Sequence, residues 1–298
     1  MAFPSSSVDA QERSRDILVP VDRSRFEDSS GEHPIVGTIL GGKYAVDRLL
    51  HRGRRNDLFV GRETLDEAPR SLVLKVPHEL SNASAEVLAR EAGFLSVIDH
   101  PNVVASFDVG SDDEHVFLVL EPIVGETLAE TMERTGPMEE PEVLEIFWQI
   151  LSAARAVHDA GVVHRDLRPR NVCLERREGH PPLVKLIDFA SARFLRADHP
   201  DAKGEPPYPV GAHRYMAPEQ HRGEDTGPWV DLYAIGMMLH AALVGELAEP
   251  GERVRDRRDV APELDEVVAI ALAEEPSARF ESALAFQDAL TRALLIGG

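Results

Sequence analysis

The sequence predicts an α+β protein in which strands come early and helices come late. Three observations carry this. Short apolar runs of strand length occur at residues 44–46, 58–60, 71–76 and 116–120. Apolar residues recurring at three and four positions mark a long helix over 139–160, with further helices over 263–273 and 282–295. Between the two regions, residues 162–173 and 183–190 gather polar groups between apolar ends.

The bulk numbers exclude several classes. With 298 residues, one large domain or two small ones are possible, and 43% apolar content is enough for a packed core. The net charge of -20 argues against nucleic acid or an acidic membrane surface as partner. One cysteine permits neither an intrachain disulfide nor a multi-cysteine zinc site. The apolar runs at 234–239 and 267–273 fall short of the roughly 18–20 residues that span a bilayer. The first residues, MAFPSSSVDAQERSRD, lack an apolar signal core. The expectation is a soluble cytoplasmic protein.

Residues 1–36 are rich in Ser, Asp, Glu and Arg. They predict a flexible extension, or an arm that docks its Ile17-Leu18-Val19 patch. Ser5–Ser7 and Ser29-Ser30 are its candidate phosphorylation sites. From Thr38 the pattern is strand-like. Two strands flank His51-Arg52-Gly53-Arg54-Arg55-Asn56, and the strand at 71–76 carries Lys75 inside it. Residues 82–98 have helical spacing, with Val87, Leu88, Phe94, Leu95 and Ile98 as the apolar stripe and Glu91 among them. In the helix at 139–160 the stripe is Val143, Ile146, Phe147, Ile150, Leu151, Ala154 and Val157, and Gly161 stops it.

The chemistry is concentrated in His164-Arg165-Asp166-Leu167-Arg168-Pro169-Arg170-Asn171, followed by Asp188-Phe189-Ala190 at the end of the next apolar run. Asp, Asn and Asp in this order suit chemistry on a metal-bound phosphate chain. The first carboxylate would hold a hydroxyl nucleophile. Asn171 and Asp188 offer the hard oxygen ligands that Mg²⁺ prefers. HRDLRPRN followed by DFA resembles the catalytic and magnesium loops of protein kinases. Further matches follow in order: Lys75, Glu91, His100-Pro101-Asn102, Ala217-Pro218-Glu219, Asp231 and Arg279. The stretch from about 38 to 295 resembles a eukaryotic-like (Hanks-type) bacterial serine/threonine protein kinase domain with a degenerate glycine-rich loop.

That resemblance implies a bilobal kinase-like fold over 37–298. A small, mainly β N-lobe would cover 37–120, a hinge 121–125 and a larger α-helical C-lobe 126–298. It implies Mg²⁺-dependent transfer of the ATP γ-phosphoryl group to a serine or threonine hydroxyl of a protein substrate. Asp166 would accept or orient the hydroxyl, Arg168 would stand in for a lysine at the γ-phosphate, and Asn171 and Asp188 would hold the metal. Lys75, fixed by Glu91, would place the α- and β-phosphates. Gly53 belongs to the phosphate loop, Val73 lies over the adenine, and Leu120 would be the gatekeeper. Backbone groups of Glu121 and Ile123 would hold the adenine edge, with Leu58 and Cys173 also in the nucleotide site. His164 and Phe189 would pack the loops, and Glu219 and Arg279 would form a buried structural pair.

The departures from the family pattern carry their own expectations. His51 and Asn56 replace two loop glycines, and Asn tolerates a left-handed backbone better than most residues. Arg52, Arg54 and Arg55 either supply phosphate contacts there or stay solvated. Ala190 replaces the D-F-G glycine, and Ala212 replaces a threonine that bridges the catalytic loop. The longer fork of Arg168 would then reach Asp166 unaided. No Ser or Thr occurs from Ala192 to Glu219, which predicts an enzyme not switched by phosphorylation there; Tyr208 and Tyr215 are the hydroxyls that remain. The stretch from 245 to 262, with Arg253, Arg255, Arg257 and Arg258, is shorter than the family's and predicts altered partner docking. The alternatives are a pseudokinase scaffold that binds nucleotide or partners, and a small-molecule kinase on the same fold.

Overall fold

The computed structural model describes residues 33–64, 70–195, 213–224 and 226–297. The extension up to residue 32, Tyr208 and Ala212 lie outside the described residues. The chain forms two compact units. Among the described residues, 33–96 and 104–126 make the first, and 97–103 with 127–297 make the second.

The first unit is mainly β. It contains β1 (Ile39–Leu40), β2 (Tyr44–Arg52), β3 (Asn56–Glu63), β4 (Ser71–Pro77), α1 (Asn82–Ser96), β5 (Ser106–Ser111) and β6 (Val116–Leu120). The six strands form an antiparallel sheet in the order β1-β2-β3-β4-β6-β5. Strand β4 shows why this sequence makes a sheet. Side chains alternate faces along a strand. Leu72, Leu74 and Val76 join a core with Tyr44, Val46, Phe59, Phe117 and Val119, while Val73 packs with Val60, Leu58 and Leu120. Lys75 is two residues beyond Val73 and so belongs to that second face. Packing begins ahead of β1, with Ile35 and Val36 against the first core.

Helix α1 differs from its expected form. It ends at Ser96, its buried residues are Leu88, Glu91, Phe94 and Leu95, and Val87 is exposed. The inward face is centred on the spacing 88, 91, 94. Its middle position is an acid, which an apolar pattern can register only as a gap; Ile98 is buried but lies beyond the end of the helix.

The second unit follows β7 (Gly125–Thr127) and is mainly α. Its elements are α2 (Leu128–Thr135), α3 (Glu140–Asp159), β8 (Val162–Val163), β9 (Val172–Glu175), β10 (Leu183–Leu186), β11 (Arg193–Phe194), α4 (Pro218–His221), α5 (Pro228–Val244), α6 (Pro262–Ala271) and α7 (Ala283–Gly297). Thr127 caps α2 by a reciprocal pair: its hydroxyl accepts from Glu130 N–H, and its N–H donates to the Glu130 carboxylate. In α3 every residue of the expected stripe is buried. Each large apolar side chain so buried contributes about 1.5–3 kcal/mol. Helix α5 is apolar on nearly all sides and buried accordingly. It packs on α3 and α6, which both meet α7. At Gly236 a Cβ would come within 2.7 Å of the Ala271 Cβ, so this glycine sets the close approach of α5 and α6.

Three of the four arginines between 245 and 262 tie this stretch to its surroundings through their side chains. Arg258 donates to the carbonyls of Met138 and Leu243, Arg253 to Asp265 and Glu266, and Arg257 to Glu246 and Glu252. The amide of Arg255 also donates to Asp265. The Glu219–Arg279 pair is present and buried. Two parallel bonds of 2.6 and 2.8 Å join it, and Arg279 also donates to the carbonyls of Ala273 and Glu274. Among the described residues, no helix is long and apolar enough to cross a membrane.

Candidate active site

The candidate catalytic residues of the second unit are placed by one buried carboxylate. Asp231, near the start of α5, accepts from the backbone N–H of His164 at 2.9 Å and of Arg165 at 2.8 Å. His158, in the last turn of α3, lies 2.9 Å from the same oxygen that accepts the His164 amide. Burial pushes the Asp231 carboxyl up, but the His158 bond, the charges of His158 and His164 and the His164 amide overcome it and hold the group below its ordinary value. Held this way, Arg165 adopts φ 68°, and Asp188 has φ 64°; they are the non-glycine residues with positive φ among the described residues. Such backbones persist only where the surroundings over-determine them, and they cluster at functional sites.

Asp166 follows directly. The Asn171 amide donates to the Asp166 carbonyl at 2.7 Å and to its carboxylate at 3.1 Å. Arg168 Nε lies 3.7 Å from the same carboxylate, an ion pair too long for a hydrogen bond. Strand β10 is tied alongside, since Leu186 N–H donates to Asn102 O and Ile187 N–H to Asn171 O. That tie brings Asp188 into the neighbourhood of Asp166. Burial raises the Asp166 pKa most; Arg168 opposes this, the Asp188 charge adds to it, and His164 and the Asn171 bond oppose it. His164 and Phe189 pack with ring centroids 4.7 Å apart, both buried.

The donor set fits a hard divalent cation. Because the Asn171 NH₂ is committed to Asp166, its carbonyl oxygen is the end left to face a metal. The Asp188 carboxylate is close enough to raise Asp166, so negative charge is concentrated there. Among the described residues no group of three or more His, Cys, Asp or Glu forms a metal cluster. Mg²⁺ takes one or two protein oxygens and keeps several waters, and Asn171 and Asp188 would supply such oxygens.

The first unit assembles its own part. Lys75 Nζ donates to both oxygens of Glu91, at 2.8 and 2.7 Å, inside the unit. Leu58 pairs with Lys75 across β3 and β4, and Leu58, Val73 and Leu120 share one apolar cluster with Val124. The Glu121 N–H is committed to Ala105 O, and its carboxylate accepts from Ala105 N–H. Ile123 buries its side chain. Cys173 lies in the second unit, buried on β9 opposite Lys185.

One expectation about the glycine substitutions needs correcting. Asn56 opens β3 and is not left-handed, so its tolerance for that backbone is unused. Ala190 has no positive φ, so its Cβ meets no backbone strain. Gly53 is required for a different reason: its N–H donates to Asn56 O, and a Cβ would collide with that same carbonyl. Two residues escaped the sequence reading. His158 buttresses Asp231, and Gln220 bridges by accepting from Ala217 N–H and donating to Arg165 O. Nothing in their local pattern distinguishes them from ordinary helix residues.

A fold and a site of this kind define a phosphoryl-transfer domain, and comparison with known proteins agrees. Residues 65–291 match the protein kinase domain family. The chain belongs to that family. Serine/threonine-protein kinase pkn3 of Myxococcus xanthus is 32% identical over 276 residues, covering 85% of this chain and 50% of that protein. PrkC of Bacillus subtilis, also a serine/threonine-protein kinase by name, is 28% identical over 84% of this chain and 40% of its own length. PknL of Mycobacterium tuberculosis is 30% identical over 85% of this chain and 66% of its own. The chain thus spans about half or less of the length of pkn3 and PrkC. Family membership implies ATP, a divalent metal and protein substrates.

Proposed function

We propose that this chain is a Mg²⁺-dependent serine/threonine protein kinase that moves the ATP γ-phosphoryl group to a protein hydroxyl. The observation that carries the reading is the bonding of Asn171 to Asp166. It fixes the carboxylate and leaves the amide oxygen of Asn171 as the end that can serve a metal. Asp166 holds the incoming hydroxyl and takes its proton as the oxygen attacks phosphorus. The raised pKa of Asp166 makes it a better proton acceptor than an ordinary aspartate. The Arg168 charge opposes that rise and presents a positive fork to the transferred phosphoryl group. Asn171 and Asp188 are the metal ligands, and Mg²⁺, when bound, supplies positive charge to the phosphate oxygens.

Lys75 places the α- and β-phosphates, with Glu91 fixing its position. Leu58 and Val73 give an apolar surface for the adenine. The Glu121 carbonyl and the Ile123 backbone take the adenine edge, because the Glu121 N–H is spent on Ala105. Gly53 holds the tight turn of the phosphate loop. Nothing in the geometry favours the pseudokinase alternative. Thermal melting with ATP, with and without Mg²⁺, together with transfer of label from γ-labelled ATP, tests the proposal. A metal-dependent melting shift with label on protein serine or threonine is expected. A shift without label would instead assign a nucleotide-binding scaffold.

A further inference from the structure

The peptide groups on both sides of the Asp166 Cα are held by side-chain amides. On the following side, Asn171 donates to the Asp166 carbonyl at 2.7 Å. On the preceding side, the Arg165 carbonyl accepts from the Gln220 amide at 3.2 Å. That carbonyl belongs to the planar peptide whose nitrogen is Asp166, so holding it sets the direction in which the Asp166 Cα leaves the loop. Arg165 is left-handed, at φ 68°, and its own N–H is held by Asp231 at 2.8 Å. A non-glycine residue keeps that backbone only where its surroundings over-determine it. Gln220 supplies a hold at the other end of the same residue.

Gln220 is itself fixed. It is 5% exposed and lies on the short helix α4. Its Oε1 accepts from the Ala217 N–H at 3.0 Å, which leaves the NH₂ end as the donor to Arg165 O. Its neighbour Glu219 is pinned by two bonds from Arg279. Arg165, Asp166, Tyr215, Met216 and Gln220 line one cavity of about 10 Å³, room for a single water at most. We propose that Gln220 is a positioning residue for phosphoryl transfer, which sets Asp166 in register with the segment 215–217 through the Arg165 carbonyl. This rests on the kinase reading above, in which Asp166 takes the hydroxyl proton. Loss of the Arg165 bond frees the peptide ahead of Asp166 and leaves Lys75, Asn171 and Asp188 in place. It therefore slows transfer without weakening ATP binding.

The test compares the wild type with Gln220→Glu and Gln220→Met. The Glu variant keeps the shape and the acceptor for Ala217 N–H. Ionised, it turns an oxygen toward the Arg165 carbonyl; protonated, its O–H restores the donor. The Met variant has no donor at any pH. Transfer of label from γ-labelled ATP to dephosphorylated casein and to the chain itself is measured from about pH 8 down to about pH 5.5, with the KM for ATP and the melting temperature. At the upper pH, kcat should fall about ten- to a hundredfold in both variants while the KM for ATP stays within about twofold of the wild type. Because burial raises a carboxyl, the rate of Gln220→Glu relative to the wild type should recover as the pH falls, and that of Gln220→Met should not. The recovery also shows that Gln220→Glu folds. A lowered melting temperature with unchanged kcat, a rise in KM in place of the kcat loss, or no acid recovery in Gln220→Glu overturns the positioning role and leaves the kinase reading standing. A wild type that labels neither itself nor casein overturns both.

Discussion

Replacing Lys75 with Met tests the nucleotide half of the site, because the structure lets stability and activity be separated. The Lys75 and Glu91 side chains are 8% and 2% exposed and share two hydrogen bonds. Lys75→Met leaves a carboxylate buried without its cation. Breaking a buried pair from one side costs about 3–5 kcal/mol. In a local opening equilibrium that is about two to nearly four orders of magnitude. Lys75→Met/Glu91→Leu removes both charges, and an apolar replacement of a buried pair is often neutral or better. The double variant should therefore regain most of the loss, while label transfer stays abolished in both. Both tryptophans, Trp148 and Trp229, lie in the second unit, so their fluorescence is a poor probe of this change. Hydrogen exchange of the β4 and α1 amides reads it directly. A single variant less than about 1 kcal/mol weaker, on the scale of a surface pair, would refute the reasoning. So would a double variant no more protected than the single one.

Three further outcomes follow from the second unit. Arg168→Gln removes a charge that holds the Asp166 pKa down against burial, so that pKa should rise further. Because the base works deprotonated, the acidic limb of the kcat/KM–pH profile should move to higher pH; an unmoved limb counts against the Arg168 role. Arg279→Leu strands Glu219, which is 1% exposed, and should cost about 3–5 kcal/mol, read as a lower urea midpoint at unchanged m. A loss under about 1 kcal/mol would place the pair among surface bridges. Asp231 is held below its ordinary value, so its stabilising contribution is present above the unfolded pKa of about 3.9 and is lost as pH falls through the lower folded value. Asp231→Asn should lack that acid-side slope, and identical slopes in the two proteins would contradict the assignment.

Much of this was legible in the sequence, for definable reasons. Helix α3 and β6 announced themselves because their buried residues are apolar, and β6 runs from Val116 to Leu120 as expected. Helix α1 was misdrawn because its buried face includes Glu91. The motif residues were legible as types, and Asp166 and Asn171 do meet. Their support was not. Nothing in the string shows that Asp231 bonds two successive amides, or that Arg165 and Asp188 hold a left-handed backbone. Those are consequences of tertiary packing, and neither residue is of a type that favours such a backbone unaided as glycine does. The arginines at 253–258 illustrate the converse. Their positions in the string show a charged stretch, but not that carbonyls and acids of the same unit take up Arg253, Arg257 and Arg258.

The most direct measurement compares phosphoryl transfer by the wild type and Asp166→Asn at saturating ATP and Mg²⁺, with the nucleotide melting shift recorded for both. If Asp166 is the group that takes the hydroxyl proton, transfer should fall at least about a hundredfold while the melting shift persists. Transfer within a few-fold of the wild type would contradict it.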